Sequence, residues 1–328
     1  MFVINMVVKY FDAPGINAWQ GLRAYEKKTF LLTGTAGDNG ILNIGPITYD
    51  PKKNYLVRYP NTYSTSVYGP DAVKKGLFRL VGSYRLEAVD GVFGFIFQGS
   101  TKDLENPRNY STVVTGGKFT YVHSTMGGLA VGNFDNPEDY GKYDLPLGPG
   151  NAFIYNVCSK KFVSIKYPGA ITNTAYGIWY NGKDKYTICG GYALTPVSIT
   201  DITKDGIFFK PIGSGYLVDY DAKTNKFSNW TSFNYPYGTN YETHFEGLSR
   251  SKSGSYQLSA VSIQTGGNIN TVQGSWVEVS KDRKVQKWVN LNYNNDPKII
   301  TTSNSVAGNS VVGITLSDPV VAYQAVIE

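Results

Sequence analysis

A short apolar phrase that ends in small residues recurs along the whole chain. The six copies span residues 29–34, 78–84, 129–134, 186–192, 256–261 and 311–315. Each copy is typical of a β-strand, and a strand that returns roughly every 50 residues is the mark of a radial or stacked repeat fold. The sequence therefore predicts a repeat protein rather than a chain with a single unique core.

The fourth repeat shows most clearly what surrounds the phrase. Residues 174–178 precede it, and residues 215–220 and 226–231 follow it, each with the pattern of a short strand. A four-stranded antiparallel unit cannot bury both of its faces alone, so such units pack face to face around an axis, and about 50 residues suits one propeller blade. Six copies predict an all-β protein, a six-bladed β-propeller.

The two chain ends complete the count of strands. Residues 320–327 have the pattern of a third strand in the last repeat, and residues 2–10 have that of a fourth strand. We expect them to pair, because this closes the ring and removes an exposed sheet edge. The predicted single domain covers residues 1–328, with blades at 18–60, 66–115, 119–167, 174–232, 242–291 and 301–328 plus 2–11.

Composition and charge agree with this fold and exclude some functions. The chain has 26 Tyr, 16 Phe and 36 Gly in 328 residues, and no long stretch has helical periodicity. The net charge of +6 comes from Lys and Arg that stand singly or in pairs, so we expect no nucleic-acid partner. The apolar run at residues 2–8 is far too short to cross a bilayer, and no transmembrane segment is expected.

The compartment and the cysteines give weaker constraints. The protein is either secreted after removal of a signal or cytoplasmic, and its oligomeric state is not indicated. Cys158 and Cys189 are too few for a disulfide framework, so we expect two buried free thiols.

One stretch of the chain resembles a known family. Ala-Tyr-Gly-Ile at 175–178, Gly-Gly-Tyr at 190–192, Ala-Phe-Ile-Tyr at 152–155 and the Tyr-Pro-Gly turn at 167–169 resemble the bacterial HAF-type repeat proteins. The resemblance is strongest over residues 150–195. It implies a propeller that is often extracellular, and it implies no particular activity.

The innermost strands are where side chains from every blade meet, at the central channel. Aligning the repeats on their second strand gives one comparable inner position in five blades, each followed by a small residue: Gln20, Tyr68, His123, Tyr176 and Glu246. Because strand side chains alternate, the residues two earlier share that face. These are Ala18, Ser66, Tyr121, Thr174 and His244.

This alignment puts the only two histidines of the chain on one inner ring. His123, His244 and Glu246 together have the ligand types that bind a divalent metal ion. Alternatively, His123 and His244 with Tyr68 and Tyr176 could act as base and acid in eliminative cleavage of a uronic-acid polymer. Arg250 would neutralise the substrate carboxylate if it reaches the same mouth. A third interpretation is that these polar groups only bind channel water.

Aromatic side chains beside the ring suggest a sugar platform. We expect ligand contacts from Gln20, Tyr121 and Glu246, and from Trp19 and Trp179, while packing between blades explains the other tryptophans. Residues 194–213 form the longest insertion between strands and are a candidate lid.

Three functions remain open from the sequence. The first is a binding module that recognises a glycan or small molecule at the channel mouth. The second is a lyase or hydrolase that uses the inner His, Tyr and Glu residues. The third is a rigid structural or surface-assembly protein.

Overall fold

The computed structural model describes residues 6–135, 150–194, 202–203, 206–207, 213–238, 241–264, 272–316 and 319–328. These residues form six antiparallel sheets arranged as a six-bladed β-propeller, which confirms the predicted fold class. The described residues contain no α-helix. They do contain four short 3₁₀ turns, at Pro51–Lys53, Thr101–Asp103, Pro107–Asn109 and Tyr293–Asn295.

The first three complete blades follow one another along the chain. Blade 1 consists of β2 (Ala18–Glu26), β3 (Thr29–Ala36), β4 (Asn39–Gly45) and β5 (Asn54–Val57). Blade 2 consists of β6 (Ser64–Val67), β7 (Asp71–Lys74), β8 (Leu77–Leu86), β9 (Val89–Gly99) and β10 (Tyr110–Val113). Blade 3 consists of β11 (Thr120–Met126), β12 (Leu129–Asp135), β13 (Gly150–Asn156) and β14 (Phe162–Ile165).

Blades 4 and 5 keep the same strand order. Blade 4 consists of β15 (Thr172–Asn173), β16 (Gly177–Gly182), β17 (Lys185–Ala193), β20 (Gly213–Asp221) and β21 (Lys226–Phe233). Between β17 and β20, β18 (Ile202–Thr203) and β19 (Gly206–Ile207) pair as a small ribbon. Most of the candidate lid at 194–213 lies outside the described residues. Blade 5 consists of β22 (Tyr241–Arg250), β23 (Tyr256–Gln264), β24 (Val272–Val279) and β25 (Val285–Asn290).

Blade 6 joins the two ends of the chain, as predicted. It consists of β26 (Ser305–Ala307), β27 (Ser310–Ile314), β28 (Ala322–Ile327) and, on its outside, β1 (Val8–Asp12). The register of β1 against β28 pairs Val8 with Ile327 and Asp12 with Tyr323. The last sheet therefore has its outer strand supplied by the first described segment of the chain, and the ring is closed.

The hydrophobic core lies between the blades, in a separate cluster at each of the six interfaces. Trp19 and Leu32 of blade 1 pack on Val312 of blade 6, and Ile188 of blade 4 packs with Val131 of blade 3. The remaining interfaces, 1 with 2, 2 with 3, 4 with 5 and 5 with 6, have equivalent clusters. Both faces of a blade are therefore buried only in the assembled ring.

Candidate functional site

Backbone irregularities in the inner strands direct the side chains of the inner ring into the channel. The inner ring consists of Gln20, Tyr68, His123, Tyr176 and Glu246, with His244 and Tyr121 beside them. The pairing register shifts between Trp19 and Gly21, between Val122 and Ser124, and between Phe245 and Gly247. Gln20, His123 and Glu246 are thus the extra residues of three β-bulges. A bulge leaves one residue unpaired and turns its side chain away from the sheet pattern.

Tyr68 and Tyr176 occupy the matching places in blades 2 and 4. There the inner strand is interrupted rather than bulged, after β6 and before β16. Each tyrosine still donates its backbone N–H to the second strand, to Val81 O at 2.8 Å and to Cys189 O at 3.0 Å. The five inner positions predicted by the alignment are therefore equivalent in the structure.

The small residue after each ring residue lets neighbouring blades touch. A Cβ on Gly21 would lie 2.4 Å from the carbonyl oxygen of Tyr68, and a Cβ on Gly69 would lie 2.8 Å from that of His123. Gly69 N–H donates to this same His123 oxygen at 2.7 Å. The backbone at one ring position is thus bonded directly to the next blade.

Glycines on the second strand face the ring positions in four blades. A Cβ at any of them would come within 1.9–2.1 Å of a carbonyl oxygen of the inner strand. They are Gly34, Gly82, Gly132 and Gly190, opposite Ala18, Ser66, Tyr121 and Thr174. The small residues of the repeated phrase therefore leave room for the inner-strand backbone where it bends.

The ring side chains form a continuous series of contacts from blade 2 to blade 5. His123 stacks on Tyr68, with ring centroids 5.1 Å apart, and meets Tyr176 edge-on at 4.6 Å. Tyr121 lies 6.0 Å from His123, and Tyr176 lies 5.5 Å from His244. The two histidines are therefore linked through Tyr176.

His244 and Glu246 form an ion pair on one strand of blade 5. Nε2 of His244 lies 2.6 Å from Oε1 of Glu246, and the side chains are 18% and 23% exposed. Glu242 is two residues earlier on the same strand, so alternation puts it on the same face. Burial raises the pKa of Glu242, and the charge of His244 opposes this rise.

The two imidazoles have opposite pKa shifts. Burial lowers the pKa of His123 to about 4, an effect that Glu246 opposes and His244 reinforces. Burial also acts to lower the pKa of His244, but the charge and hydrogen bond of Glu246, with the charge of Glu242, outweigh it and leave that pKa raised. At neutral pH, His123 is therefore an uncharged base beside a histidine whose charged form is stabilised.

The ring tyrosines remain protonated hydrogen-bond donors. Burial raises the pKa of Tyr68 to about 12 against a hydrogen bond with Ser83, whose hydroxyl is 3.0 Å away. Burial and the charge of Glu246 raise the pKa of Tyr176 well above its ordinary value.

The space at the centre of the ring is small. Gln20, His123, Tyr176 and Glu246 line a cavity of about 10 Å³, together with Leu22, Arg23, Ser124, Ser305 and the glycines beside them. About 10 Å³ is the size that holds one water molecule. The space inside the ring therefore admits nothing larger than water, and Glu242 and His244 lie at the mouth above it.

The predicted metal set does not form a coordination group. The described part of the chain contains no group of three or more His, Cys, Asp or Glu side chains that could hold a metal ion. His244 already bonds Glu246 through Nε2, and the His123 ring packs flat on Tyr68.

Three predicted residues lie away from the ring. Trp19 is fully buried between blades 1 and 6, against Tyr49, so it has no surface to offer a sugar. Arg250 is at the far end of β22, where it donates to Asn181 Oδ1 at 2.9 Å and stacks on Tyr256, so it does not reach the mouth with Glu242. Trp179 is partly buried beneath the guanidinium of Arg23, 5.3 Å away, at that same far end.

The cysteines differ from the expectation in one respect. Both are free thiols, but only Cys189 is buried, between blades 4 and 5. Cys158 is exposed because it lies in the turn between β13 and β14, outside the core.

The sequence did not predict one charged residue near the mouth or one buried charged cluster. Glu242 could have been found, because it continues the alternation of His244 and Glu246 along β22. Arg23, Asp71 and Arg79 form a buried cluster from blades 1 and 2, and no local pattern indicates that these residues meet.

Comparisons with known proteins add support for the fold only. No protein-family profile matches the chain, and no curated protein is detectably similar to it in sequence. Among solved structures, a luciferin-regenerating enzyme has 15% identity and a TM-score of 0.53, with 99% of this chain and 97% of that chain covered. A duf4221 family member from Bacteroides vulgatus has 9% identity and a TM-score of 0.47, with 99% and 98% covered.

No helix in the described segments is long and apolar enough to span a membrane.

Proposed function

We propose that this propeller is a ligand-binding protein that recognises a small hydroxylated molecule, such as one sugar unit of a glycan, at the mouth of its central channel. The observation that carries this proposal is the connected ring of Tyr68, His123, Tyr176, His244 and Glu246, supplied by four different blades. Neutral phenols and imidazole donate and accept hydrogen bonds, and their ring faces pack against a sugar.

The charges at this mouth favour an uncharged ligand. Glu246 is balanced by His244, but Glu242 adds a further carboxylate on the same face. A ligand carboxylate would meet this charge in a partly desolvated place, whereas hydroxyl groups would hydrogen bond to it. We therefore expect neutral sugars to bind better than uronic acids.

NMR of the two histidine side chains tests the proposal, because the chain has only two histidines. Methyl glucoside, methyl galactoside and methyl glucuronoside would be titrated into the labelled protein. We expect a saturable shift of both imidazole signals with a neutral glycoside, and loss of that shift in Tyr176→Phe. Tyr63→Phe is the matched control, since Tyr63 is 57% exposed and outside the ring. Unchanged imidazole signals with all three glycosides would contradict the proposal.

A second function, elimination on a uronic-acid polymer, is favoured by one observation. His123 is an uncharged base beside Tyr176, a phenol that keeps its proton. His123 would take the proton next to the sugar carboxylate, a C=C bond would form, the glycosidic C–O bond would break, and Tyr176 would protonate the leaving oxygen. Polyuronate would then give an ultraviolet-absorbing product with the wild type and none with His123→Ala, whereas a binder gives none with either.

A further inference from the structure

A second and much larger cavity lies at the opposite mouth of the channel, where the inner strands end. Its volume is about 790 Å³, within the range of sites that hold small organic ligands. Its wall is mostly apolar and aromatic, and comes from several blades: Tyr25, Phe30, Met126, Trp179, Trp276 and Ile327.

Two buried arginines share a single carboxylate beside this cavity. Arg23, Asp71 and Arg79 are only 7%, 6% and 7% exposed. Arg79 Nη1 lies 3.6 Å from Asp71 Oδ2, and both arginines interact electrostatically with Asp71. The cluster therefore has one positive charge in excess, and uncompensated buried charge is strongly unfavourable.

The hydrogen-bonding capacity of the cluster is also unfilled. Arg23 uses Nε to donate to Pro70 O at 3.2 Å, but its buried Nη1 has no partner. Arg79 donates from Nε and Nη2 to Gln98 Oε1. Its Nη1, like that of Arg23, has no hydrogen-bond partner. Buried donors without partners are rare and point to an unmade interaction.

The other charges at the cavity do not supply this interaction. Glu278 and Lys287 are cross-strand partners on β24 and β25, so this carboxylate has a cation of its own opposite it. Arg250 is held by Asn181 and by Gly254 O. Asp71 already accepts from Gly127 N at 3.3 Å and lies between the two arginines.

We propose that this cavity binds an organic monocarboxylate with an apolar or aromatic body. Its carboxylate accepts from Arg23 and neutralises the excess charge of the cluster, and its body packs on Trp179 and the apolar wall. Arg23 is fixed for this task, because its guanidinium lies 5.3 Å above the Trp179 ring and is tied to Pro70 O. The site is separate from the glycan site proposed above.

Calorimetry with 4-phenylbutyrate and its neutral amide tests the proposal on the whole chain. We expect the wild type to bind the carboxylate about 10-fold or more tightly than the amide, as a charge-assisted hydrogen bond to Arg23 requires. Arg23→Met should remove this preference and leave amide binding in place. Arg283→Met is the matched control, since Arg283 pairs with Asp219 on the rim between blades 4 and 5 and should retain the preference.

Trp179→Leu gives a second readout that does not depend on a buried charge. It should weaken both ligands equally, because it removes part of the wall and leaves Arg23 in place. Equal affinity of the wild type for acid and amide, absence of binding for both, or an unchanged preference in Arg23→Met would each overturn the proposal.

Discussion

At the scale of single residues, the inner ring contains two histidines whose protonation has opposite effects on stability. His123 has a lowered pKa, so the folded protein favours its neutral form, and its contribution is lost as pH falls from about 6.5 through about 4. His244 has a raised pKa, so its contribution is full below the unfolded value of about 6.5 and is lost as pH rises through the folded value. The two effects partly cancel near neutral pH.

Replacing one histidine makes the opposing contributions of His123 and His244 to the pH dependence of stability measurable. Between pH 7 and pH 5, the free energy of unfolding should fall by about 1 kcal/mol more in the wild type than in His123→Phe. This value is discounted for solvent screening, because the imidazole is only half-buried. Urea unfolding at both pH values measures the difference, and NMR titration of the two imidazoles checks the shifts. An equal loss in both proteins, or an unshifted His123, would refute this prediction.

At the scale of secondary structure elements, the bend in the inner strand and the glycine opposite it form one unit. In blade 4 the unit consists of Thr174, Tyr176 and Gly190, with the carbonyl oxygen of Thr174 only 1.9 Å from where a Cβ on Gly190 would lie. The obstacle is main chain, which cannot move aside as a side-chain end can. The strand pair would have to separate to admit a methyl group.

Gly190→Ala should therefore destabilise the protein and disturb the ring. We expect a loss of about 2–4 kcal/mol in the free energy of unfolding, at the upper end for a single substitution, together with a shift of the His123 and His244 signals. Gly116→Ala is the control, because its Cβ would meet nothing within 4 Å, and it should change stability by less than about 1 kcal/mol. If Gly190→Ala left both the free energy of unfolding and the histidine signals unchanged, the strands would be shown to separate easily.

The sequence repeat explains how much of the fold and of the candidate site could be predicted from the sequence. Inner positions such as His123 and Glu246 are identifiable because the same local pattern, an inner residue followed by a small one, returns in five of the six repeats. The position of Arg250 at the far mouth depends on counting along one strand, and the meeting of Arg23 with Asp71 depends on which blades are neighbours. Neither leaves a periodic trace, because contacts between blades involve side chains distant in sequence.

At the scale of the whole molecule, stability depends on closing the ring. Tyr10 on β1 packs edge-on against Tyr293 and Tyr323, each 5.4 Å away between ring centroids. It therefore joins the first described strand to the last blade. Since every blade buries its faces against its neighbours, a loss at this closure is transmitted around all six interfaces.

Tyr10→Ala should lower global stability rather than loosen one edge. We expect a loss of about 2–4 kcal/mol from the deleted aromatic ring, with hydrogen-exchange protection falling in all blades together. Tyr63→Ala, at an exposed position, should have little effect. Protection lost only in β1 and β28 would show instead that the two chain ends fray independently of the disc.

In the inner strands, the groups that hold the backbone in place differ from the side chains that face the channel. The geometry of the bulges is held by main-chain bonds such as Gly69 N–H to His123 O, and by small neighbours, whatever the side chain at the bulge itself. Glutamine, tyrosine, histidine and glutamate all occupy equivalent places on one scaffold. Five blades thus place one side chain at the axis on an equivalent backbone, and the chemistry at the axis can change by single substitutions without a change in the propeller fold.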